Sequence, residues 1–168
     1  MILKKNVPPS HRLSYVILLA AMCTVILSAL ALEHVGGYIP CKLCLEQREP
    51  WYAAITVMVI ATAGLMLRWP PLVCRSLLLI AGLLMAYSVY LGVFHSGVEW
   101  AWWEGPGDCG AIEGGIASDT GSFLQQLEQT VAPSCNEAAL RILGLSLAGW
   151  NAVASLILAL IAFRTASV

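Results

Sequence analysis

The stretch that decides the fold is LSYVILLAAMCTVILSALAL, residues 13–32, which holds twenty residues and no charged side chain. Because a helix rises about 1.5 Å per residue, this stretch would be about 30 Å long, the thickness of a bilayer's hydrocarbon core. Three further apolar runs of similar length follow, at residues 51–67, 76–94 and 142–163. The sequence therefore predicts an all-α polytopic membrane protein, a four-helix transmembrane bundle.

The composition agrees with a bilayer as the solvent. The chain of 168 residues is 59% hydrophobic and only 11% charged, and its mean hydropathy is +0.78. Soluble domains are about 25% charged, and a chain of this size cannot hide so much apolar surface from water. We therefore expect a single integral membrane domain over residues 1–168. The formal net charge of −1 gives no reason to expect a nucleic-acid partner.

The placement of lysine and arginine predicts the orientation. One side of the membrane would carry Lys4, Lys5, Arg12, Arg68, Arg75 and Arg164, and the other side only Lys42, Arg48 and Arg141. The positive-inside rule then places both termini in the cytoplasm. The two long connections, residues 33–50 and 95–141, would face the periplasm, in a bacterial inner (cytoplasmic) membrane. All ten acidic residues fall on that outer side.

The first apolar run has one alternative interpretation. Basic residues before it and Ala29-Leu30-Ala31 near its end are also typical of a secretory signal peptide. The apolar stretch is longer than the usual 7 to 15 residues of such a peptide, which favours a retained helix.

The first outer connection contains PCKLCLEQR, residues 40–48. Its C-x-x-C spacing allows Cys41 and Cys44 to close a small disulfide ring and lowers the pKa of one thiol, which favours thiol exchange. Arg48 follows Cys44 by four residues, so a helix would place both on one face, where the guanidinium favours a thiolate. If the helix begins only at Pro50, that geometry stays open.

The predicted topology divides the six cysteines into two that lie in or near the apolar runs and four that lie in the outer connections. Cys23 and Cys74 fall within or near apolar runs and are expected to be small apolar side chains. The outer connections hold Cys41, Cys44, Cys109 and Cys135, where disulfides persist. Structural disulfides and redox-active pairs are equally compatible with the spacing. A tetrathiolate zinc site is disfavoured, because such sites usually offer two close-spaced pairs, so no metal is expected.

Several motifs resemble the DsbB family of disulfide-bond-formation membrane proteins. They are the 40–48 stretch, then HSGVEWAWWEGPGDC at 95–109, then Cys135-Asn136-Glu137, and finally LGLS at 143–146 with Trp150-Asn151. The resemblance covers nearly the whole chain in order, including both cysteine pairs.

The resemblance implies a quinone-dependent protein-disulfide oxidoreductase. Such a protein accepts electrons from a periplasmic DsbA-like thioredoxin-fold partner and passes them to membrane quinone, either ubiquinone or menaquinone. By position, Cys109 and Cys135 exchange with the partner, and Cys41 and Cys44 reoxidise them. Cys44 would be the thiolate that faces the quinone, with Arg48 as the cation beside it. Cys41 would bridge transiently to Cys135.

Two alternatives remain at this point. The chain could be a disulfide-stapled membrane scaffold without turnover, or a DsbB relative that serves one dedicated oxidant. The discriminating property is electron transfer from a dithiol to quinone, which a scaffold lacks.

Other residues are candidates for lesser roles. His95 is a candidate donor to a quinone oxygen, or an interfacial histidine without a role, and Gln47 would hydrogen-bond in the same pocket or lie in a solvated loop. Tryptophans and a tyrosine at the outer boundary predict an aromatic belt, one or two of them lining the quinone cleft. They are Trp51, Tyr52, Trp100, Trp102, Trp103 and Trp150. Gly144, Ala148 and Asn151 predict a helix-packing stripe, with Asn151 hydrogen-bonded to a neighbouring helix.

Overall fold

The structure, a computed structural model, describes residues 9–106 and 134–167. Its elements in chain order are α1 (Pro9–His34), α2 (Lys42–Glu46), α3 (Glu49–Met66), α4 (Pro71–Glu99), β1 (Arg141–Ile142), β2 (Leu145–Ser146) and α5 (Leu147–Ser167). Within this part of the chain, four helices are long and apolar enough to cross a membrane: α1, α3 with α2 before it, α4 and α5. The predicted all-α membrane bundle is confirmed.

The four long helices form an antiparallel bundle in which each helix contacts two neighbours. Helix α4 packs most extensively on α5 and then on α3, while α1 packs on α3 and only lightly on α5. The described ends of both long connections lie at the same end of the bundle, which is called the loop end here. The light contact between α1 and α5 leaves room between these helices, and the cavity described below lies there.

Small residues allow the closest helix contact. A Cβ atom added to Gly92 of α4 would lie 2.9 Å from the backbone nitrogen of Ala152 and 3.0 Å from the carbonyl oxygen of Ala148, both on α5. Helices approach this closely in membranes where side chains are small. Large apolar side chains such as Leu83 and Leu160 instead point outward, as expected for a surface that faces lipid.

All four helix starts differ from the sequence prediction, and those of α4 and α5 differ most. Helix α4 begins at Pro71 rather than residue 76. Proline suits the first turn of a helix, because the backbone N–H groups there have no hydrogen-bond acceptor within the helix and the missing N–H costs nothing. Helix α5 begins at Leu147 rather than residue 142, because β1 and β2 form a hairpin just before it. Leu143 and Gly144 form its turn with φ of 53° and 83°, so Gly144 does not belong to the predicted helical stripe.

The first connection is folded into a short helix rather than an open loop. Helix α2 carries Cys44, and Gln47 and Arg48 keep right-handed helical backbone angles up to the start of α3 at Glu49. Pro50 lacks an N–H and therefore interrupts the hydrogen-bond ladder at this point. The chain consequently turns from α2 into α3 with Cys44 and Arg48 still close together.

Candidate redox site

The cysteine pair lies at the loop end of the bundle. Cys41 caps the N-terminus of α2 and is buried, while Cys44 is half-buried in the first turn of that helix. Both are free thiols, and their sulfur atoms lie 2.9 Å apart, within hydrogen-bond distance. The local fold therefore holds the two sulfurs of the C-x-x-C stretch together, with different surroundings for each.

Hydrogen-bond donors converge on the sulfur of Cys41. The backbone N–H of Cys44 donates to it at 3.3 Å, the Cys44 thiol faces it, and Nε2 of His95 lies 3.6 Å away. The hydrogen bond with the Cys44 thiol, more than the contact with His95, lowers the pKa of Cys41 to about 4, although burial opposes this shift. In the reduced pair the geometry thus favours a thiolate on Cys41, whereas the sequence prediction placed it on Cys44.

His95 is buried behind the cysteine pair. The residue is only 2% exposed, and its Nδ1 atom lies 2.6 Å from Nε2 of Gln47. On the other side of the ring, Nε2 faces Cys41 and lies 3.8 Å from a carboxylate oxygen of Glu99, one helical turn further along α4. The second carboxylate oxygen of Glu99 is buried without a hydrogen-bond partner.

The contact between Gln47 and His95 continues into the bundle as a network of side-chain amides. Nδ2 of Asn151 donates to Oε1 of Gln47 at 2.7 Å, and the indole N–H of Trp51 donates to Oδ1 of Asn151 at 2.8 Å. Nδ2 of Asn151 also lies 3.4 Å from Oγ of Ser88. The predicted hydrogen bond from Asn151 to neighbouring helices is confirmed.

A cavity of about 480 Å³ opens on the other side of the cysteine pair. It lies between the loop ends of α1 and α5, and most of its wall is aliphatic or aromatic. The polar or reactive side chains at its loop end include Glu33, Cys44, Gln47, Arg48 and Asn151. Trp51 and Trp150 also line it. Cys41 and His95 do not belong to its described lining, so the cavity meets the pair through Cys44.

Arg48 carries the positive charge at this cavity. Its guanidinium forms a part-buried ion pair with Glu33, the first residue after the apolar run of α1. The carboxylate neutralises the arginine locally and holds it over the cavity. Sequence spacing placed Arg48 beside Cys44 but gave no indication of its partner on another helix.

Cys135 lies beside the first pair. It is fully buried and disulfide-bonded, and it belongs to one buried cluster with Cys41, Leu43 and Val98. None of the four described free cysteines is its disulfide partner. The predicted partner, Cys109, lies outside the described residues, so the pairing of Cys109 with Cys135 stays a prediction.

The structure changes the interpretation of several aromatic residues. Trp51 was predicted to belong to the interfacial belt, but it is 1% exposed and hydrogen-bonded inside the bundle. Trp100, Trp102 and Trp103 are exposed at the loop end, in agreement with a belt. Sequence reasoning missed the network role of Trp51 and the buried carboxylate of Glu99, because burial of a residue at a helix end depends on tertiary contacts.

The site also contains a set of potential metal donors. Cys41, Cys44 and His95 place their ligand atoms within 4.8 Å of one another, and thiolate and imidazole are the ligands that zinc prefers. A zinc ion would need an unprotonated histidine nitrogen facing the sulfurs. Whether Nε2 of His95 meets that requirement depends on the hydrogen bonds that the other ring nitrogen makes.

Fold and site together define a helical membrane protein with a dithiol between an apolar cavity and a buried polar network. The family model of disulfide bond formation protein DsbB matches residues 11–165. The chain therefore belongs to the DsbB family, whose activity is that of a disulfide-bond-forming oxidoreductase. Comparisons with curated proteins and with solved structures found no match.

Proposed function

We propose that this protein reoxidises a periplasmic thioredoxin-fold dithiol protein of the DsbA type and transfers the electrons to membrane quinone. The observation that carries the proposal is the position of Cys44. Its sulfur contacts the sulfur of Cys41 on one side, and the residue lines an apolar cavity beside Arg48 on the other. A dithiol placed in this way can exchange electrons with other cysteines and with an acceptor that is soluble in lipid.

The proposed exchange runs through two disulfides in sequence. The dithiol of the partner reduces the Cys109–Cys135 disulfide and leaves oxidised. Cys109 and Cys135 then reduce the Cys41–Cys44 disulfide and return to the oxidised state, through a transient bond between Cys41 and Cys135. The shared buried cluster of Cys41 and Cys135 supports this step, because thiol exchange needs direct contact of sulfurs.

The last step reforms the Cys41–Cys44 disulfide. The thiolate of Cys41 attacks the sulfur of Cys44, and two electrons leave from the Cys44 side, which is the side that lines the cavity. Cys44, Gln47 and Arg48 would hold a quinone at the loop end of the cavity, and such a quinone would supply the oxidising power for this step by taking up two electrons and two protons. One proton comes from the Cys44 thiol and one from the aqueous side, so the sum is partner dithiol plus quinone giving partner disulfide plus hydroquinone.

The cavity has the properties that a quinone needs. Its largely aliphatic wall between α1 and α5 suits an isoprenoid chain, and its charged and reactive groups lie at the loop end, where a ring would reach Cys44. The hydroxyls of Thr24 and Ser28, deeper in the wall, bond to carbonyls of their own helix. Arg48 would stabilise negative charge that develops on a quinone oxygen. Gln47 is a second potential donor to the ring. His95 lies behind the cysteine pair, so we assign it to the sulfurs and no longer to the quinone.

The proposal includes an orientation in the bacterial inner membrane. The cysteines lie at the end of the bundle that bears few basic residues, which the positive-inside rule assigns to the periplasm. Disulfides persist in that compartment, and the proposed thioredoxin-fold partner works there.

The test is electron transfer by the purified full-length protein in detergent. A reduced thioredoxin-fold dithiol protein and a soluble quinone are supplied, and the ultraviolet absorbance of the quinone is followed. We expect catalytic loss of absorbance with the wild-type protein and none with Cys44→Ser or Cys109→Ser. Cys23→Ser serves as the matched control, because Cys23 is a free thiol in α1 outside the site, and should keep full activity.

Two outcomes would redirect the proposal. A lack of turnover with several dithiol partners and both quinone classes, in folded protein with oxidised outer cysteines, would favour the stapled scaffold. Turnover with only one partner among several would instead favour a relative that serves a dedicated oxidant.

A further inference from the structure

The donors and acceptors of the hydrogen-bond network around His95 can be assigned in only one order, which runs from Trp51 through Asn151 and Gln47 to the ring. Trp51 is at its start, and an indole N–H can donate but cannot accept. Oδ1 of Asn151 must therefore be the atom that faces Trp51, at 2.8 Å. The amide nitrogen of Asn151 is then left to face Gln47, and it donates to Oε1 at 2.7 Å.

The same reasoning reaches the imidazole ring. Since Oε1 of Gln47 accepts from Asn151, its Nε2 faces Nδ1 of His95 at 2.6 Å and donates to it. An Nδ1 atom that accepts a hydrogen bond carries no proton, so the proton of the neutral ring must be on Nε2. Nε2 is the nitrogen that faces the sulfur of Cys41, at 3.6 Å.

The second hydrogen of the Asn151 amide strengthens this assignment. It points to Oγ of Ser88 at 3.4 Å, and Oγ of Ser155 lies 2.9 Å from the same oxygen. Ser88 and Ser155 are both fully buried. Turning the Asn151 amide around would place its carbonyl toward Gln47 and its N–H groups against the Trp51 N–H, which is a repulsive contact between two donors.

We propose that Trp51 fixes the ring tautomer of His95 through Asn151 and Gln47, so that His95 presents an Nε2–H to Cys41 as a hydrogen-bond donor. Trp51, Asn151 and Gln47 are positioning residues in this arrangement. The arrangement deepens the proposed function, on which its catalytic value rests, by assigning the group that stabilises the thiolate of Cys41.

The fixed tautomer has two chemical consequences. His95 stabilises negative charge on Cys41 without taking up a proton, because its only lone pair is already used by Gln47. Metal binding through Nε2 is also weakened, because that atom bears a hydrogen that would have to leave first. The dithiol is thus kept for redox exchange although its donor set resembles a zinc site.

The test is nitrogen NMR of the reduced full-length protein in detergent micelles, labelled at histidine. The chain has only three histidines, His11, His34 and His95, so His95→Gln identifies the ring signals of His95. We expect the wild-type ring to be a single neutral tautomer with the proton on Nε2. A proton on Nδ1, or a mixture of both tautomers, would overturn the proposal without any variant.

Two variants test the role of Trp51. Trp51→Phe removes the donor-only group that faces Oδ1 of Asn151 and leaves the hydroxyl of Ser88, which can donate or accept, so the variant should give a mixture of both tautomers of His95. Ser88→Ala is the control, because it removes a contact of Asn151 without reversing any donor, and should leave the ring signals unchanged. A pure Nε2–H tautomer in Trp51→Phe would show that Trp51 does not direct the network.

Zinc binding gives an independent readout. We expect reduced Trp51→Phe to bind Zn²⁺ about tenfold more tightly than reduced wild-type protein, since second-shell partners commonly change metal affinity by this order. Equal affinity in the two proteins would contradict the weakening of metal binding by the fixed tautomer. Because neither readout involves quinone, a protein with the expected tautomer but no quinone reduction would refute the proposed function alone.

Discussion

The two sides of the cysteine pair differ in almost every physical property. Cys44 lines a largely apolar cavity between α1 and α5, and the charged residues in the described lining of that cavity are Arg48 and its ion-pair partner Glu33. Cys41 faces a buried polar network built from α3, α4 and α5, in which each described amide has a fixed partner. One side offers space, and the other offers hydrogen bonds.

This difference indicates a division of labour between two sulfurs that are three residues apart. A space with few polar groups suits an acceptor that arrives through the lipid phase, whereas convergent donors stabilise a thiolate. The sequence motif treats the two cysteines alike. The structure distinguishes them by the capping position of Cys41 in α2, by the contact of Cys41 with His95 of α4, and by the position of Cys44 at the cavity.

The largest expected effect is the loss of turnover when the pair is broken. Cys44→Ser leaves Cys41 without a sulfur to attack, so quinone reduction should fall below detection while the bundle still folds. Cys41→Ser should do the same. Residual catalytic turnover in either variant, measured by quinone absorbance in folded protein, would mean that the two sides do not work as one disulfide.

The next effect concerns the acidity of Cys41. Because its pKa is lowered to about 4 by the Cys44 thiol and then by His95, the thiolate should be present at about pH 6, where an ordinary cysteine is protonated. It should be lost only as the pH falls through about 4. The ultraviolet absorbance of the thiolate, followed against pH in the reduced protein, measures the ionised fraction of Cys41.

The control for that titration removes the sulfur of Cys41, which shows whether Cys41 or Cys44 carries the negative charge. Cys41→Ser should remove the thiolate at about pH 6, because Cys44 then lacks the donors that surround Cys41. An unchanged thiolate signal in Cys41→Ser would place the charge on Cys44, as spacing alone predicts, and would reverse the roles of the two sides.

A smaller effect is expected on the KM for quinone when the positive charge of Arg48, on the cavity side, is removed. Arg48→Leu should raise the KM for quinone by about 10- to 100-fold, because the cation that would face a quinone oxygen is removed. Arg48→Lys should restore part of that loss. If the KM is unchanged and only exchange with the dithiol partner slows, Arg48 acts on the cysteines rather than on the quinone.

The smallest expected effect is a difference in the free energy of unfolding between a variant on the network side and a variant on the cavity side of the cysteine pair. Asn151→Leu leaves the Trp51 N–H and Oε1 of Gln47 buried without their partner, which should lower the free energy of unfolding by about 2 kcal/mol. Thr24→Val is the cavity-side comparison, because the Thr24 hydroxyl bonds only within its own helix, to the carbonyl of Ala20. Its cost should stay below about 0.5 kcal/mol.

Denaturant titration in detergent gives both values of that comparison. Equal losses for Asn151→Leu and Thr24→Val would indicate that the amide network contributes no more to stability than an ordinary hydroxyl on the cavity side.

The sequence predicted the bundle well because lipid imposes strong constraints. Long runs without charge identify the membrane segments, but they mark the ends poorly. A charge-free criterion excluded Arg75 and Glu99, although both lie in α4. It also included residues 142–146, because the hairpin before α5 is as apolar as the helix that follows.

The site was predicted less completely, and the reason is distance along the chain. The C-x-x-C stretch and Arg48 are local and were identified by spacing. The partnership of Trp51 with Asn151 joins positions that are 100 residues apart, and that of Cys41 with His95 joins positions 54 apart. Single residue types such as Trp or Glu do not reveal such partners, because only the packing of α3 and α5 on α4 brings them together.

The burial of the sulfurs also has a consequence for electron leakage. Cys41 is 5% exposed and Cys135 is fully buried, so a small dissolved thiol such as glutathione cannot readily touch either atom. Thiol exchange requires that contact. These two sulfur atoms are therefore insulated from small dissolved thiols and oxidants, and in the proposed relay a short circuit through either of them would be slow for geometric reasons.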